Sequence, residues 1–249
     1  MNNDLLKTVS ENVIFVLEFL LIIAATFVVS YIVEKLAKRK NGDTERILNT
    51  RKIAVIGVFS AIAMILHVVD FPIPFAPPFY KLDFSEIPVL ICGFAFGPVA
   101  GVMTEFIKIL LKLIVKGTST AFVGDLANFV VGCSFVLPTT IIYRFLKTKR
   151  AAVVSCIVGT IVITIVGSVF NAVYLLPAFS ALYHIPMETL IDMGRAINPN
   201  ITDITTFICF AVAPLNVVKG ASVSMVTMLV YKHISPIIKY GRTLRKGSV

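Results

Sequence analysis

The stretch FPIPFAPPFYKLDFSEIP, residues 71–88, separates two long apolar segments of the chain. Its prolines at 72, 74, 77, 78 and 88 fix the backbone φ angle and remove amide donors, so most of 71–86 is predicted not to form a regular helix. Three aromatic side chains (Phe79, Tyr80 and Phe84) and three charged ones lie close together within residues 79–86. A simple connection needs none of these, so we interpret the stretch as part of a binding site or its lid.

The segments on either side of this stretch have the composition of membrane-spanning helices. The 249 residues are 57% hydrophobic and 15% charged, whereas a soluble domain carries about 25% charged residues. Asp, Glu, Lys and Arg are absent from six runs: 53–69, 87–104, 126–143, 151–187, 204–218 and 220–231. Apolar runs of about 18 residues or more are typical of membrane spans, and the alternating pattern of membrane β-strands is absent. The predicted fold class is an all-α, polytopic membrane helical bundle.

The apolar pattern predicts seven spans, of which the first carries one acid, Glu18. The turn signal Asn41-Gly42-Asp43 follows the first span, and Gly97-Pro98 breaks a run that would be too long for one helix. The predicted spans are 13–33, 52–70, 87–96, 99–116, 121–145, 151–177 and 205–231. Residues 178–204 are predicted to be a polar loop, and we divide the chain into an N-terminal helix with its basic linker (1–49), a core (50–235) and a basic tail (236–249).

The net charge of +9 is explained by where the basic residues lie. A basic chain often binds nucleic acid, but here the cations flank apolar spans, which is the pattern of the positive-inside rule. Seven spans place the basic segments 35–52, 144–150 and 232–246 together in the cytoplasm, with the N-terminus outside. The loops 71–86, 117–120 and 178–204 then face outward, so the proline-rich loop meets solutes that arrive from outside the cell.

Sequence motifs of enzymes and metal sites are absent. The chain has no nucleotide-binding P-loop, no H-E-x-x-H and no G-x-S-x-G. His67, His184 and His233 are scattered, and the four cysteines form no C-x-x-C pair that would indicate a disulfide or zinc framework. We therefore expect no catalytic residues and no metal ion.

Polar side chains inside the spans are the remaining candidates for a site. On one predicted helix face lie Glu105, Lys108, Lys112 and Lys116, which either form an internal ion-pair ladder or face water. Asp125 and Asn128 are one turn apart at the end that Lys112 occupies. Three more polar residues, Asn171, Asn216 and Lys219, interrupt the last two spans. Amides and an ammonium suit hydroxyls and carbonyls, and the loop aromatics suit a flat ring, which predicts a planar heterocycle with a polar tail. Alternatively, the two asparagines only bridge helices.

Small residues recur on the second span as Gly57-x-x-x-Ala61. Small residues one turn apart let two helices approach closely in lipid. Two interpretations stay open, namely packing within this chain and docking of a second membrane protein.

Several blocks of the chain, taken together, resemble the RibU-type, riboflavin-binding S components of energy-coupling factor (ECF) transporters. The resemblance begins with Phe79-Tyr80-Lys81-Leu82-Asp83-Phe84-Ser85-Glu86-Ile87-Pro88 and continues through Gly97-Pro98-Val99-Ala100-Gly101 and Glu105-Phe106-Ile107-Lys108. It ends with Gly124-Asp125-Leu126-Ala127-Asn128-Phe129 and Asn216-Val217-Val218-Lys219-Gly220. It spans most of residues 50–232 and implies a six-helix core, which leaves the first helix as an addition.

The resemblance implies a membrane subunit that captures riboflavin from outside and has no ATPase of its own. Its partners would be a transmembrane coupling subunit, docked at Gly57 and Ala61, and two ATP-binding-cassette subunits. The implied ligand contacts are Phe79, Tyr80, Lys81, Leu82, Asp83, Phe84, Asn128, Asn171, Asn216 and Lys219. Whether flavin mononucleotide (FMN) also binds is left open, since a phosphate would need Lys81, Lys112 and Lys219 to converge.

Two other functions stay open at this point. The chain could be an S component for another flat metabolite, with the same frame and different loop contacts. It could also be a membrane-embedded enzyme that acts on a lipid, with Glu105 and Asp125 as its working groups.

Overall fold

The structure is a computed structural model that describes residues 13–118, 120 and 122–243, and the side chains of 17–118, 120 and 122–233. The polar start (residues 1–12), Ser119, Ala121 and the end of the basic tail (244–249) lie outside the described residues. The helices are α1 (Val13–Lys40), α2 (Thr50–Val68), α3 (Glu86–Phe96), α4 (Pro98–Lys116), α5 (Val123–Leu146), α6 (Lys149–Phe170), α7 (Leu176–Tyr183), α8 (Met187–Arg195), α9 (Ile204–Phe207) and α10 (Ala213–Thr243).

Five stretches of the described chain are long and apolar enough to cross a membrane: Leu17–Lys40, Thr50–Val68, Val123–Leu146, Lys149–Tyr183 and Ile204–His233. The shorter apolar helix α3 and the charged helix α4 complete a bundle of six core helices with α1 added to it. The predicted all-α membrane fold is confirmed.

Helix α1 packs against α4 and α5. The Phe19 ring meets the edge of Phe129 at a centroid distance of 6.3 Å, and Phe27 meets Phe106 at 5.7 Å. The helix continues beyond the predicted end at residue 33, because Ala37 and the buried Glu34 extend the packed face by two turns.

Helices α3 and α4 are separated at Gly97, as the Gly-Pro step predicted. Gly97 has a φ angle of +109°, which L-residues rarely adopt, and Pro98 begins the next helix. The buried Glu34 carboxylate of α1 accepts a hydrogen bond from the Val99 amide at 3.0 Å, so it satisfies one of the free donors at the start of α4. A Cβ atom on Gly97 would lie 2.6 Å from that carboxylate. Helix α1 therefore packs closely, through Glu34, against the break between α3 and α4.

Helix α6 does not end at Leu176-Pro177, contrary to prediction. A π-helical turn, Asn171–Leu175, joins it to α7, and the helix runs on to Tyr183. Pro177 is tolerated because it stands in the first turn of α7, where its missing amide is not needed. A second π-helical turn, Ile208–Val212, joins α9 to α10, and α10 continues past the predicted end of the last span.

The predicted polar loop 178–204 is partly helical, since it contains the end of α7 and the whole of α8. Leu190 and Gly194 of α8 are buried, while its charged residues face outward. The proline-rich loop is not helical before Glu86, as predicted, and its two ends pair as antiparallel strands β1 (Phe71–Pro72) and β2 (Lys81–Leu82).

One apolar cluster gathers the loops of one end of the bundle, which we call the loop end. It contains Ile73, Tyr80, Val123, Leu175, Leu190 and Phe207 among its buried residues. At the opposite end, the amide of Asn41 in the α1–α2 linker donates to the Arg144 carbonyl at the end of α5. The structure thus agrees with the predicted grouping of loops, with the proline-rich loop and 178–204 at one end and 35–52 and 144–150 at the other.

Candidate functional site

A network of buried charges lies beneath the proline-rich loop. Its members are Asp83 of the loop, Glu86 of α3, Glu105 and Lys108 of α4, and Lys219 of α10, and we call it the charge network. Each of the five is at most 8% exposed. Charges inside a membrane bundle are costly unless they are paired, so the four elements that carry them are tied together at this point.

Both lysines of the network are shared between carboxylates. The Lys219 ammonium lies 3.3 Å from an oxygen of Asp83 and 3.1 Å from an oxygen of Glu86. The Lys108 ammonium lies 3.5 Å from the same Glu86 oxygen and 2.7 Å from Glu105. Glu86 therefore bridges the two cations, and Glu105 occupies the inner end of the chain of contacts.

Space for Glu105 is provided by Gly132 on α5, where an added Cβ atom would collide with the carboxylate. Despite its proximity to Lys108, the Glu105 carboxylate receives no well-directed hydrogen bond from the described residues. It is the least satisfied member of the network.

Hydrogen bonds fix the loop residues of the network. The Ser85 amide donates to Asp83 at 2.8 Å, and the Lys108 ammonium donates to the Ser85 hydroxyl at 3.0 Å. The His67 imidazole at the end of α2 is 3.4 Å from Asp83. Burial by itself raises the pKa of Asp83, but the nearby Lys219 and His67 outweigh it and hold that pKa well below its usual range. These neighbours therefore favour the ionised form of the Asp83 side chain.

Amide groups form a second polar cluster beside the network. The Tyr80 hydroxyl donates to Asn171 at 2.7 Å, and the Asn171 amide donates to the Gly167 carbonyl at 2.7 Å. Asn216 on α10 lies against the same Gly167, since an added Cβ there would be 2.7 Å from its amide nitrogen. The two asparagines are thus neighbours. Asn171 begins one π-helical turn, and the Asn216 amide donates to the Val212 carbonyl at the end of the other, a feature that often accompanies functional sites.

Aromatic side chains cover the amide cluster. The rings of Phe79 and Tyr80 are 4.7 Å apart, Phe79 meets Phe179 of α7 at 6.3 Å, and Tyr80 meets Phe207 of α9 at 6.1 Å. The aromatic rings therefore lie beside the two asparagine amides and the charge network. This arrangement suits a ligand with a flat ring and hydroxyl or carbonyl groups.

The other candidate residues lie in different places. Leu82 is buried in the loop cluster, and Phe84 packs on Phe71 at 5.9 Å. The Asn128 amide donates to the Gly124 carbonyl of its own helix. Lys81 lies at the surface, where it pairs with Asp70 at 3.1 Å.

The three lysines considered for a phosphate do not converge. Lys112 pairs with Asp125 at 2.7 Å, Lys81 pairs with Asp70, and Lys219 belongs to the charge network. The Lys112 contact agrees with the prediction that it shares an end with Asp125. Each of the three cations already lies beside at least one carboxylate, and no carboxylate is common to two of these three.

The sequence prediction missed Ser85, Glu86 and His67 as parts of this site, and it considered Glu105 and Lys108 only as an ion-pair ladder or as charges facing water, of which the structure shows the ion pair. Glu86 and Lys108 had a usable signal, because a charge that interrupts an apolar run must find a partner within the bundle. His67 had no such signal, since one histidine in a helix carries little information. Within the described residues, no group of His, Cys, Asp and Glu could hold a metal ion.

The proposed docking residues lie away from the charge network. Gly57 is exposed on α2, and an added Cβ would meet no atom of this chain within 4 Å. Ala61 on the next turn is half-buried. Packing within the chain is therefore the wrong interpretation for Gly57, which leaves this face open to lipid or to a partner.

Comparison with known proteins identifies the family. The family model for the ECF transporter, substrate-specific component, matches residues 51–231. The chain belongs to this family. The match begins at the start of α2, so α1 lies outside the family core.

Two curated relatives of this chain are both named riboflavin transporters. The chain is 32% identical over 197 residues to the riboflavin transporter FmnP of Bacillus subtilis, an alignment that covers 79% of this chain and 98% of that protein. It is 34% identical to the riboflavin transporter RibU of Staphylococcus aureus, over 76% of this chain and 93% of the relative. The family and these relatives are transporter components, which sets aside the enzyme alternative.

A solved structure has the same fold. It is described as the S component of a bacterial ECF transporter, and it superposes with a TM-score of 0.60 at 33% identity. The similarity covers 76% of this chain and 98% of that one. The chain is therefore a multi-pass membrane protein with the S-component fold and one additional helix.

Proposed function

We propose that this chain captures riboflavin for uptake by an ECF transporter. The proposal is supported by its family and by relatives that are named riboflavin transporters. The observation that carries it furthest is the neighbouring arrangement of Asn171, Asn216 and Lys219 below the aromatic loop residues. The isoalloxazine ring of riboflavin is flat, and its ribityl tail carries hydroxyls.

The proposed ligand contacts are the ten residues predicted from the sequence: Phe79, Tyr80, Lys81, Leu82, Asp83, Phe84, Asn128, Asn171, Asn216 and Lys219. In this proposal Phe79 and Tyr80 pack on the ring, while Asn171 and Asn216 hydrogen-bond to polar atoms of the ligand. The Tyr80–Asn171 hydrogen bond closes the loop over the site. When riboflavin binds, contacts with the ligand replace this hydrogen bond. Lys219 offers a donor that the charge network holds in place.

The chain is proposed to have its N-terminus outside and its C-terminus in the cytoplasm. The basic segments then lie inside, and the loop end faces the source of the vitamin. We propose the division 1–49, 50–235 and 236–249, in which the central part holds the site. A membrane coupling subunit docks at Gly57 and Ala61, and two ATP-binding-cassette subunits supply the energy.

The first test is binding of riboflavin to the purified chain in mild detergent. A flavin that copurifies gives a yellow protein, and the absorbance spectrum measures its stoichiometry. Titration with riboflavin, followed by fluorescence quenching, should give one site per chain. Asn216→Ala and Lys219→Ala should each weaken binding at least tenfold, which corresponds to about 1.4 kcal/mol.

Matched controls separate the site from general damage. Asn200→Ala changes an exposed asparagine, and Lys116→Ala changes an exposed lysine at the end of α4. Both should bind riboflavin as the parent does. If all four variants bind equally well, the site assignment is wrong. If the parent neither contains nor quenches flavin, the chain is an S component for another flat metabolite.

FMN serves as a competitor in the same titration. Because Lys81, Lys112 and Lys219 are each paired with a separate carboxylate, a phosphate finds no cluster of cations among them. We therefore expect FMN to bind more weakly than riboflavin. Equal affinity would mean that the phosphate stays in solvent or that the lysines rearrange.

Docking is tested by Gly57→Leu in cells that also produce the energising subunits. The large side chain should block close helix approach, so riboflavin uptake should fall while riboflavin binding to the purified variant is unchanged. Val58→Leu, on an exposed neighbouring residue of α2, is the control. Normal uptake by Gly57→Leu would contradict docking at this face.

A further inference from the structure

The end of the bundle opposite the site is a built junction between α1 and the core. We call residues 34–52 and 144–150 the basic junction. The Asn41 amide donates to the Arg144 carbonyl at 3.0 Å, and the Arg144 guanidinium lies 2.8 Å from Asp43. The Lys40 ammonium lies over the Phe145 ring, 5.5 Å from its centroid. These contacts hold the end of α1 beside the end of α5.

The acidic residues of the junction are all engaged in ion pairs. Asp43 binds Lys38 as well as Arg144, Glu45 lies 3.9 Å from Lys52, and Glu34 is buried 3.8 Å from Arg144. The chain has no other acid from residue 35 to 69, and none from 126 to 187. Each of the three carboxylates of the junction is therefore already paired with a cation.

Exposed cations at this end include Lys35, Arg39, Lys40, Arg46, Lys149 and Arg150. Among the residues that the structure describes, no Asp or Glu forms an ion pair with any of them. They come from both sides of the junction, because α6 begins at Lys149, shortly after α5 ends. The contacts that join α1 to α5 thus hold these cations as one array.

Exposed apolar side chains lie close to these cations in the chain. Leu36 of α1 is 54% exposed and Leu146 at the end of α5 is 56% exposed, and both helices are long and apolar enough to cross a membrane. Cations at the water boundary with leucines beside them match the two parts of a phospholipid, the anionic head group and its acyl chains.

We propose that the basic junction binds anionic phospholipid head groups. A solvated array would serve equally well to orient the chain, but it would show no preference between lipids of the same chain length. A nucleic acid or an acidic protein would not require leucines next to the cations. The proposal concerns α1 and the junction, and it does not depend on what the loop end binds.

The test uses the full chain, purified in mild detergent and titrated with dioleoyl-phosphatidylglycerol or dioleoyl-phosphatidylcholine. Native mass spectrometry counts the lipids that stay bound. Phosphatidylglycerol should bind more tightly, and its preference should shrink as salt is raised. Lys149→Gln should reduce that preference about fivefold, and Arg39→Gln with Arg150→Gln about 25-fold, since each cation near an anionic surface contributes a similar amount.

Lys116→Gln is the matched control, because it removes an exposed lysine at the end of α4 that lies away from the basic junction. It should leave the lipid preference unchanged. Lys149→Arg keeps the charge and should restore the preference, which separates a loss of charge from damage to folding. Equal retention of the two lipids by the parent would overturn the proposal. So would an equal loss in Lys116→Gln, or a failure of Lys149→Arg to restore the preference.

Discussion

The charge network at the loop end and the basic junction at the other end both join helices through ion pairs, but they differ in burial. Lys108 and Glu105 of the network are completely buried. In the junction Glu34 is buried too, but the carboxylate side chains of Asp43 and Glu45 are 13% and 42% exposed. Buried pairs must repay a large desolvation cost, and surface pairs cost little. Attachment of α1 to the core is therefore enough to explain the junction. The higher desolvation cost of the charge network indicates that the network has a role besides stability.

The charge network and the basic junction also differ in their balance of acidic and basic groups. The network holds three carboxylates against two ammonium groups, and one of its carboxylates lacks a well-directed hydrogen bond. The acids of the junction, by contrast, are outnumbered by cations. An apolar core of the same volume is often as stable as a buried ion cluster. We therefore expect the network to be sensitive to any lost partner, and the junction to be more tolerant.

Replacement of Lys108 by Met should have the largest effect. It leaves Glu86 with one cation and Glu105 with none, and loss of one partner of a buried pair costs about 3–5 kcal/mol. Thermal unfolding in detergent measures the change. Lys116→Met, on an exposed residue of the same helix, should be neutral. A similar loss in both variants would show that the burial of the network does not set its sensitivity.

Gly97→Ala should be the most damaging change near the junction. The backbone at a φ of +109° strains any L-residue by roughly 1–3 kcal/mol, and the new methyl group meets the Glu34 carboxylate. Glu34→Ala removes the second problem but not the first. In a double-mutant cycle, the two changes together should cost less than the sum of their separate costs. Strictly additive costs would mean that Glu34 does not lie against Gly97.

Gly132→Ala and Gly57→Ala form a matched pair that tests the packing around the network. At Gly132 the added methyl group collides with Glu105, and overpacking of this kind costs about 1–3 kcal/mol. At Gly57 no atom of this chain is in reach, so the same change should be neutral or stabilise the helix by up to about 1 kcal/mol. Chemical or thermal unfolding of the two variants gives the comparison, and equal effects would contradict it.

The pH dependence of the junction should be the smallest effect. Burial tends to raise the pKa of Asp43, but hydrogen bonds from the Glu45 amide and from Lys38 lower it to about 2. A lowered pKa stabilises the folded state above the ordinary value near 3.8 and loses that contribution as the pH falls toward 2. The difference in stability between the parent and Asp43→Asn should thus be constant from pH 7 to pH 5 and shrink below about pH 4. A difference that shrinks at higher pH would contradict this pKa.

Much of the fold follows from hydrophobic runs and breaks. Gly97-Pro98 separated two helices because one residue needs a positive φ and the next has no amide. The positions of the loops followed from where charges interrupt apolar runs. Residues 178–204 were predicted to be a polar loop, and that prediction did not use the helical spacing of Leu190, Ile191 and Gly194, whose members lie on the buried side of α8.

The pairings within the site could not be predicted from one sequence. Asp83 and Lys219 are both candidates in the sequence, yet 136 residues separate them, and no local rule specifies their contact. Glu34 appeared to be one acid among the many cations of a linker. Only the packing of α1 on the core places it at the start of α4.

The two π-helical turns, Asn171–Leu175 and Ile208–Val212, change how this chain should be aligned with its relatives. Each wide turn holds one residue more than an α-helical turn, so every residue beyond it is rotated by about 100°. A relative that lacks one residue in either turn can keep the rest of the helix by closing the bulge. A single-residue gap at these positions would therefore mark a continuous helix in the relative, and an ungapped alignment there would assign Asn216 to the wrong face.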